Sequence, residues 1–121
     1  MQKIILVVED YEDARSCMKF LIESYGYQVI EAADGLEAIE SFKHFFPDLV
    51  LMDISMPIMD GLTATKAIRK FEVTAKTPII AVTAHGKQFY NRAIEAGCND
   101  LIDKPVDFDC LEPFLNLYLN H

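Results

Sequence analysis

The feature that most constrains this chain is a change of period that happens five times. Short apolar, β-branched runs at Ile4–Val8, Gln28–Glu31, Leu49–Met52, Ile79–Val82 and Leu101–Ile102 alternate with stretches of helical spacing. In the first such stretch Ala14, Cys17, Met18, Leu21, Ile22 and Tyr25 fall on one face of a helix. Ala38, Ile39, Phe42, Phe45 and Phe46 repeat the pattern, as do Ala64, Ala67, Ile68 and Phe71. Phe89, Ala93 and Ala96 make a fourth, sparser stripe; Leu111, Phe114, Leu115, Tyr118 and Leu119 make the fifth. Strands that are apolar on both faces and alternate with helices form a parallel sheet covered on each side. Right-handed crossovers then favour a doubly wound α/β fold with five helices and strand order 2-1-3-4-5. Its ligand crevice lies at the carboxyl ends, where the first and third strands diverge.

The punctuation agrees. Gly26 and Gly97 stand where a helix closes through a left-handed residue, and Asp34-Gly35 reads as a turn into the second helix. Asp109 and Glu112 have capping-box spacing, which puts Pro113 in the first turn of the last helix. A start near Asp107 instead predicts a kink at Pro113. Phe42, Phe45 and Phe46 read as core and helix-end packing.

A length of 121 residues suits one domain over 1–121. With 51% hydrophobic residues the chain is not disordered. No apolar run reaches the roughly 18–20 residues of a membrane span, and Ile4–Val8 is too short for a signal sequence. Cys17, Cys98 and Cys110 lack framework or metal spacing, so free thiols in the cytoplasm are expected. The net charge of −8 argues against nucleic acid and for a protein partner or a cation. Met1 reads as a natural start, and the carboxyl end at His121 is open: the chain is standalone or cut from a longer one.

The residues that follow each strand carry the chemistry. Glu9 and Asp10 follow the first, Asp53 the third, Thr83 the fourth, and Asp103, Lys104 and Pro105 the fifth. This topology brings Glu9, Asp10, Asp53, Thr83 and Lys104 to one edge. Two like charges about 4 Å apart repel by about 4 kcal/mol at an effective dielectric of 20, so the carboxylates need a raised pKa or a cation. Mg²⁺ suits a site of a few carboxylates, waters and a phosphate. A carboxylate, an ammonium, a hydroxyl and a metal are also the parts of phosphoryl transfer. Singly, each residue has a plainer reading as a cap, a turn or a solvated charge. Their convergence on one ledge is what favours chemistry.

Other sites lack support. His44, His85 and His121 have no metal spacing and read as surface residues. Neither a nucleotide P-loop nor a dinucleotide glycine fingerprint is present, and no serine sits in a nucleophile elbow.

These residues resemble the response-regulator receiver family of two-component signalling over essentially the whole chain. The motifs are Glu9-Asp10, the run Asp53-Ile54-Ser55-Met56-Pro57-Ile58-Met59-Asp60-Gly61, Thr83-Ala84 and Lys104-Pro105. The resemblance implies a flavodoxin-like fold; the strand order is the family's own and adds no separate support. It implies Asp53 as phosphoacceptor, with Asp10 and Glu9 holding Mg²⁺ (or Mn²⁺), Glu9 partly through water. The Ser55 carbonyl joins the metal ligands, Lys104 pairs with one phosphoryl oxygen and Thr83 donates to another. It further implies a cis Lys104–Pro105 peptide, Pro57 ending the loop after the third strand, and Gly61 permitting the turn into the third helix. Leu101 stands where many members carry an aromatic switch residue. Ser55 and His85 occupy positions that tune hydrolysis, and Tyr11 narrows the mouth.

The expected function is a phosphoaspartate switch, not an enzyme acting on other substrates. It takes its phosphoryl group from a histidine kinase or phosphotransfer protein. Its output is protein association, including a phosphorylation-dependent dimer, with Lys87, Gln88, Tyr90 and Asn91 on the output surface. Two alternatives are weaker. A phosphatase of the haloacid dehalogenase type needs a second Asp where Ser55 stands. A phosphorylation-independent binding module leaves Asp53, Asp10, Thr83 and Lys104 without a purpose.

Overall fold

The computed structural model describes residues 2–56, 59–71 and 76–120. Pro57, Ile58 and His121 lie outside the described residues, as does the side chain of Phe71. Ten elements alternate along the chain: β1 (Ile4–Val8), α1 (Glu12–Ser24), β2 (Gln28–Ala32), α2 (Gly35–Phe45), β3 (Leu49–Asp53), α3 (Gly61–Phe71), β4 (Ile79–Thr83), α4 (Gly86–Ala96), β5 (Asp100–Asp103) and α5 (Phe108–Leu119). The strands form one parallel sheet in the order β2-β1-β3-β4-β5, as the alternation of periods predicts.

Successive strand residues feed opposite faces, because side chains alternate across a strand. Leu6, Val8, Val50, Met52, Ile79 and Ala81 pack with Ala38 and Phe42 of α2, Ala64 and Ile68 of α3, and Ala93 of α4. Ile5, Val7, Leu49, Leu51, Ile80 and Val82 pack with Ile22 of α1 and with Leu111, Leu115 and Leu119 of α5. Every residue of β3 and β4 is buried. Burying each such Ile, Leu or Val contributes about 1.5–3 kcal/mol. The central strands are therefore the rigid base from which Asp53 and Thr83 emerge.

Local signals explain most ends. Asp34 caps α2 by accepting the Glu37 N–H at 2.9 Å. Gly26 and Gly97 both lie in the left-handed region, with φ of 97° and 114°. The structure decides one open reading and corrects two expectations. Asp107, not Asp109, caps α5, accepting the Asp109 N–H at 3.0 Å, and the helix continues through Pro113. The buried Leu111–Leu115–Leu119 stripe offsets the one N–H that proline lacks. Phe42 is core, but Phe45 and Phe46 are exposed, and Phe46 closes α2 as a left-handed residue with φ 47°. Gly61 is needed for space rather than for a turn: a Cβ there would strike the Asp53 carbonyl.

Candidate functional site

β1 and β3 are neighbours that part company at their carboxyl ends, and the acidic residues sit in that opening. Asp53 is the last residue of β3 and is only 3% exposed. Its backbone cannot withdraw, because the following Ile54 N–H donates to the Val82 carbonyl at 3.1 Å and the Gly61 N–H donates to the Ile54 carbonyl at 3.0 Å. Its Oδ1 accepts the Ser55 N–H at 3.2 Å, and its Oδ2 lies 3.4 Å from Lys104 Nζ. Glu9 enters from the end of β1. Its Oε1 accepts from Lys104 Nζ at 3.2 Å and its Oε2 from the Tyr11 N–H at 3.1 Å. Arg15 steadies this turn by donating to the Glu9 carbonyl at 2.9 Å while pairing with Glu31 at 3.3 Å.

Burial and the neighbouring Glu9 carboxylate push the Asp53 carboxyl up from 3.8 to about 7, against the opposing pull of Lys104. Burial also acts to raise Glu9, but hydrogen bonds from Asp53, the Tyr11 N–H and Lys104 outweigh it and hold that carboxyl below its ordinary value. Burial works against the charge on Lys104, yet Asp53 and Glu9 prevail and raise its pKa.

One oxygen each from Glu9, Asp10 and Asp53 lie within 4.8 Å of one another. Three carboxylates face one ammonium there, and all the donors are oxygens, so the set fits a hard divalent cation. Asp10 is exposed and Asp53 buried, which gives such an ion a path from solvent to the floor of the cleft.

Thr83 ends β4 with its side chain buried at 1% exposure. Its Oγ1 accepts the His85 N–H at 3.1 Å, which leaves the hydroxyl proton free to be donated. The Lys104 N–H donates to the Thr83 carbonyl at 2.8 Å, fastening the lysine's strand end to that of Thr83. The Lys104–Pro105 peptide is cis. Thus the five strand-end residues named from the sequence come to one edge, with Ser55 beside them.

The chain matches the family model for the response regulator receiver domain over residues 5–116. It belongs to the response-regulator receiver family. The chemotaxis protein CheY of Bacillus subtilis is 41% identical over 118 residues, covering 96% of this chain and 97% of that protein. A hybrid signal transduction histidine kinase of Dictyostelium discoideum is 42% identical over 118 residues, 94% of this chain but only 3% of that much longer protein. Among solved structures, the receiver domain of a sensor histidine kinase from Pseudomonas aeruginosa PAO1 superposes with a TM-score of 0.91 at 34% identity, each chain covered in full. That receiver has a magnesium ion coordinated in its active-site cleft.

Against this family background several residues stand out. Leu101 is half-buried against the α2–α3–α4 core. Tyr11 is 64% exposed and its hydroxyl donates to Asp13 at 3.3 Å. His44 and His85 are exposed, as are Lys87, Gln88, Tyr90 and Asn91 on α4. The three cysteines are free thiols. No helix among the described residues is long and apolar enough to cross a membrane.

Sequence reasoning missed a cleft of about 490 Å³ that runs from Asp53 and Lys104 between α1 and α5, lined by Ala14, Cys17, Met18, Val106 and Phe108. Its α1 residues were visible only as an apolar stripe, and nothing local says that α5 stands back from them. Sequence reasoning also gave Asp103 no part, although its Oδ1 accepts the Gly86 N–H at 2.9 Å.

Proposed function

We propose that residues 1–121 form a single receiver domain that works as a phosphoaspartate switch, with Asp53 as the phosphoacceptor. The observation that carries this is the meeting of the Glu9, Asp10 and Asp53 oxygens within 4.8 Å, beside an ammonium 3.4 Å from Asp53 Oδ2. The donor is a phosphohistidine on a histidine kinase or phosphotransfer protein. A carboxylate oxygen of Asp53 forms the new P–O bond as the P–N bond to the imidazole breaks. The imidazole leaves with the electron pair of that bond and takes up a proton.

The chain's own residues supply orientation and charge. The Ser55 N–H fixes the rotation of the Asp53 carboxylate. Lys104 is near enough to follow a phosphoryl oxygen, and its raised pKa keeps it cationic. Thr83 donates its free hydroxyl proton to another oxygen. Glu9, Asp10, Asp53 and the Ser55 carbonyl would hold Mg²⁺ or Mn²⁺. When bound, the cation neutralises charge on the transferring phosphoryl oxygens and favours the ionised, nucleophilic form of Asp53. The phosphorylated state is read by a partner protein, or by a second copy, at α4 residues such as Lys87 and Tyr90. Free cysteines and the match to signalling receivers support a cytoplasmic setting. Phosphate biases the two states only through contacts that differ between them.

The test is phosphorylation by a small phosphodonor, phosphoramidate, with Mg²⁺, read by intact mass and site mapping. One phosphoryl group on Asp53, absent in Asp53→Asn, is the expected result. A stable modification elsewhere, retained in Asp53→Asn, overturns the assignment.

A further inference from the structure

Helix α4 starts without a cap from its own segment: His85, in the N-cap position, makes no side-chain cap hydrogen bond. The acceptor comes instead from across the sheet. Asp103, at the end of β5, accepts the Gly86 N–H through Oδ1 at 2.9 Å. The approach is so close that a Cβ on residue 86 would fall on the Asp103 carboxylate, so glycine there is what admits the contact. Three residues earlier, Thr83 pairs in register with Asp103, and the Thr83 carbonyl accepts the Lys104 N–H at 2.8 Å. The exposed pair Ala84–His85 is therefore fastened to β5 on both sides. Main chain holds it at Thr83 and a side chain holds it at Gly86. Thr83 Oγ1 accepts the His85 N–H within the same span, so a move of that hydroxyl is felt along it.

We propose that Asp103 is a positioning residue for the phosphoryl site. Its carboxylate pins the amino end of α4 to β5 in the resting protein, and the pin opens when Thr83 engages a phosphoryl group on Asp53. The inference rests on the reading of Asp53 as phosphoacceptor. The physical reason is the distribution of constraint. Sheet register fixes the Thr83 main chain, so rearrangement of Ala84–His85 falls on the bond at Gly86. That bond joins the N–H of Gly86, a buried residue whose nearest cover is the Asp103 carboxylate itself, to a side chain that is exposed, so water reaches both groups once they part. The pin thus links the charge state of the cleft to α4, whose Lys87, Gln88, Tyr90 and Asn91 are exposed.

Three variants of the full chain separate this role from plain charge. Asp103→Ala removes the acceptor. Asp103→Asn keeps an acceptor oxygen without the charge. Gly86→Ala drives the carboxylate away from the other side, which costs little because Asp103 is exposed. Beryllofluoride with Mg²⁺ is the probe, read by a binding isotherm and by amide hydrogen exchange at Gly86. In the wild type, Gly86 exchange rises about tenfold on saturation. Asp103→Ala and Gly86→Ala show the raised rate without the probe and bind it about threefold to tenfold more tightly, since they need not open the pin. Asp103→Asn stays within about twofold of wild type, and the double variant Asp103→Ala/Gly86→Ala is no tighter than either single one. Equal tightening in Asp103→Asn and Asp103→Ala overturns the pin in favour of a charge effect. So does unchanged Gly86 exchange in the wild type on saturation, or variants that match the wild type in both measurements. A wild type that binds no beryllofluoride overturns the phosphoacceptor reading itself, and the pin with it.

Discussion

Replacing Asp53 by Asn should change how the metal-free protein responds to pH, in a direction set by the site's electrostatics. Burial, and then Glu9, raise the Asp53 carboxyl from 3.8 to about 7. The folded chain therefore keeps a proton there between about pH 4 and pH 7 that the unfolded chain releases. The stabilisation from this group is complete below about pH 4 and disappears as pH rises through about 7. At 1.36 kcal/mol per pH unit, the rise from 3.8 to about 7 sets a ceiling of about 4 kcal/mol. Glu9 moves the other way: its lowered carboxyl stabilises the fold above its ordinary 4.5 and loses that effect on acidification. That effect of Glu9 lies below about pH 4.5, so across pH 4.5–7.5 the wild type loses stability through Asp53, by at most about 4 kcal/mol. Asparagine keeps the shape and the acceptor for the Ser55 N–H but cannot ionise. The assay is urea denaturation in chelator from pH 4.5 to 7.5, with wild type and Asp53→Asn in parallel. At a urea slope of about 1–3 kcal/mol per molar, the wild-type midpoint should fall by about 1 M relative to the variant as pH rises. Parallel curves, or a wild type that gains stability relative to Asp53→Asn, would refute the account of a carboxylate crowded by its neighbour.

Other outcomes follow from the same geometry. Mg²⁺ at a hundredfold excess over its dissociation constant should stabilise the wild type by about 2.7 kcal/mol at pH 7.5; Asp10→Asn should lose most of that gain in the same urea titration. Lys104→Ala should weaken beryllofluoride binding about tenfold and lower the urea midpoint by less, because it removes the ammonium that faces Asp53 and Glu9 but little packing; equal loss in both would make Lys104 a structural residue. Gly97→Ala should destabilise the fold by about 1–3 kcal/mol in urea, since residue 97 has φ of 114° and the new Cβ would lie 2.7 Å from Arg69 Cγ. Asp34→Ala should cost about 1 kcal/mol through loss of the α2 cap, measured the same way.

What could be read from the sequence was whatever local pattern dictates. The apolar runs mark all five strands, and the residues after them mark the ledge, because in a parallel sheet every strand ends at the same edge. Limits appear where a partner lies far along the chain. β5 reads as only Leu101–Ile102, since Asp100 and Asp103 at its ends look like loop residues until β4 pairs with them. The start of α4 is hidden for the same reason: its cap, Asp103, is 17 residues downstream of Gly86. The last helix misleads through Pro113, whose local cost is outweighed by Leu111, Leu115 and Leu119 meeting the sheet. Phe45 and Phe46 show that apolar character does not by itself mean burial; the helical stripe carries Phe42 inward and leaves the other two at the rim.

The central claim is that residues 9, 10 and 53 form one cation-holding ledge on which Asp53 receives a phosphoryl group beside Lys104 and Thr83. A crystal structure grown with Mg²⁺ and beryllofluoride examines it most directly. The account predicts the beryllium bonded to an Asp53 carboxylate oxygen, the ion held by these acidic residues and the Ser55 carbonyl, and Lys104 and Thr83 each on a fluorine. An ion bound elsewhere, or beryllofluoride absent from Asp53 in crystals saturated with both, would contradict it.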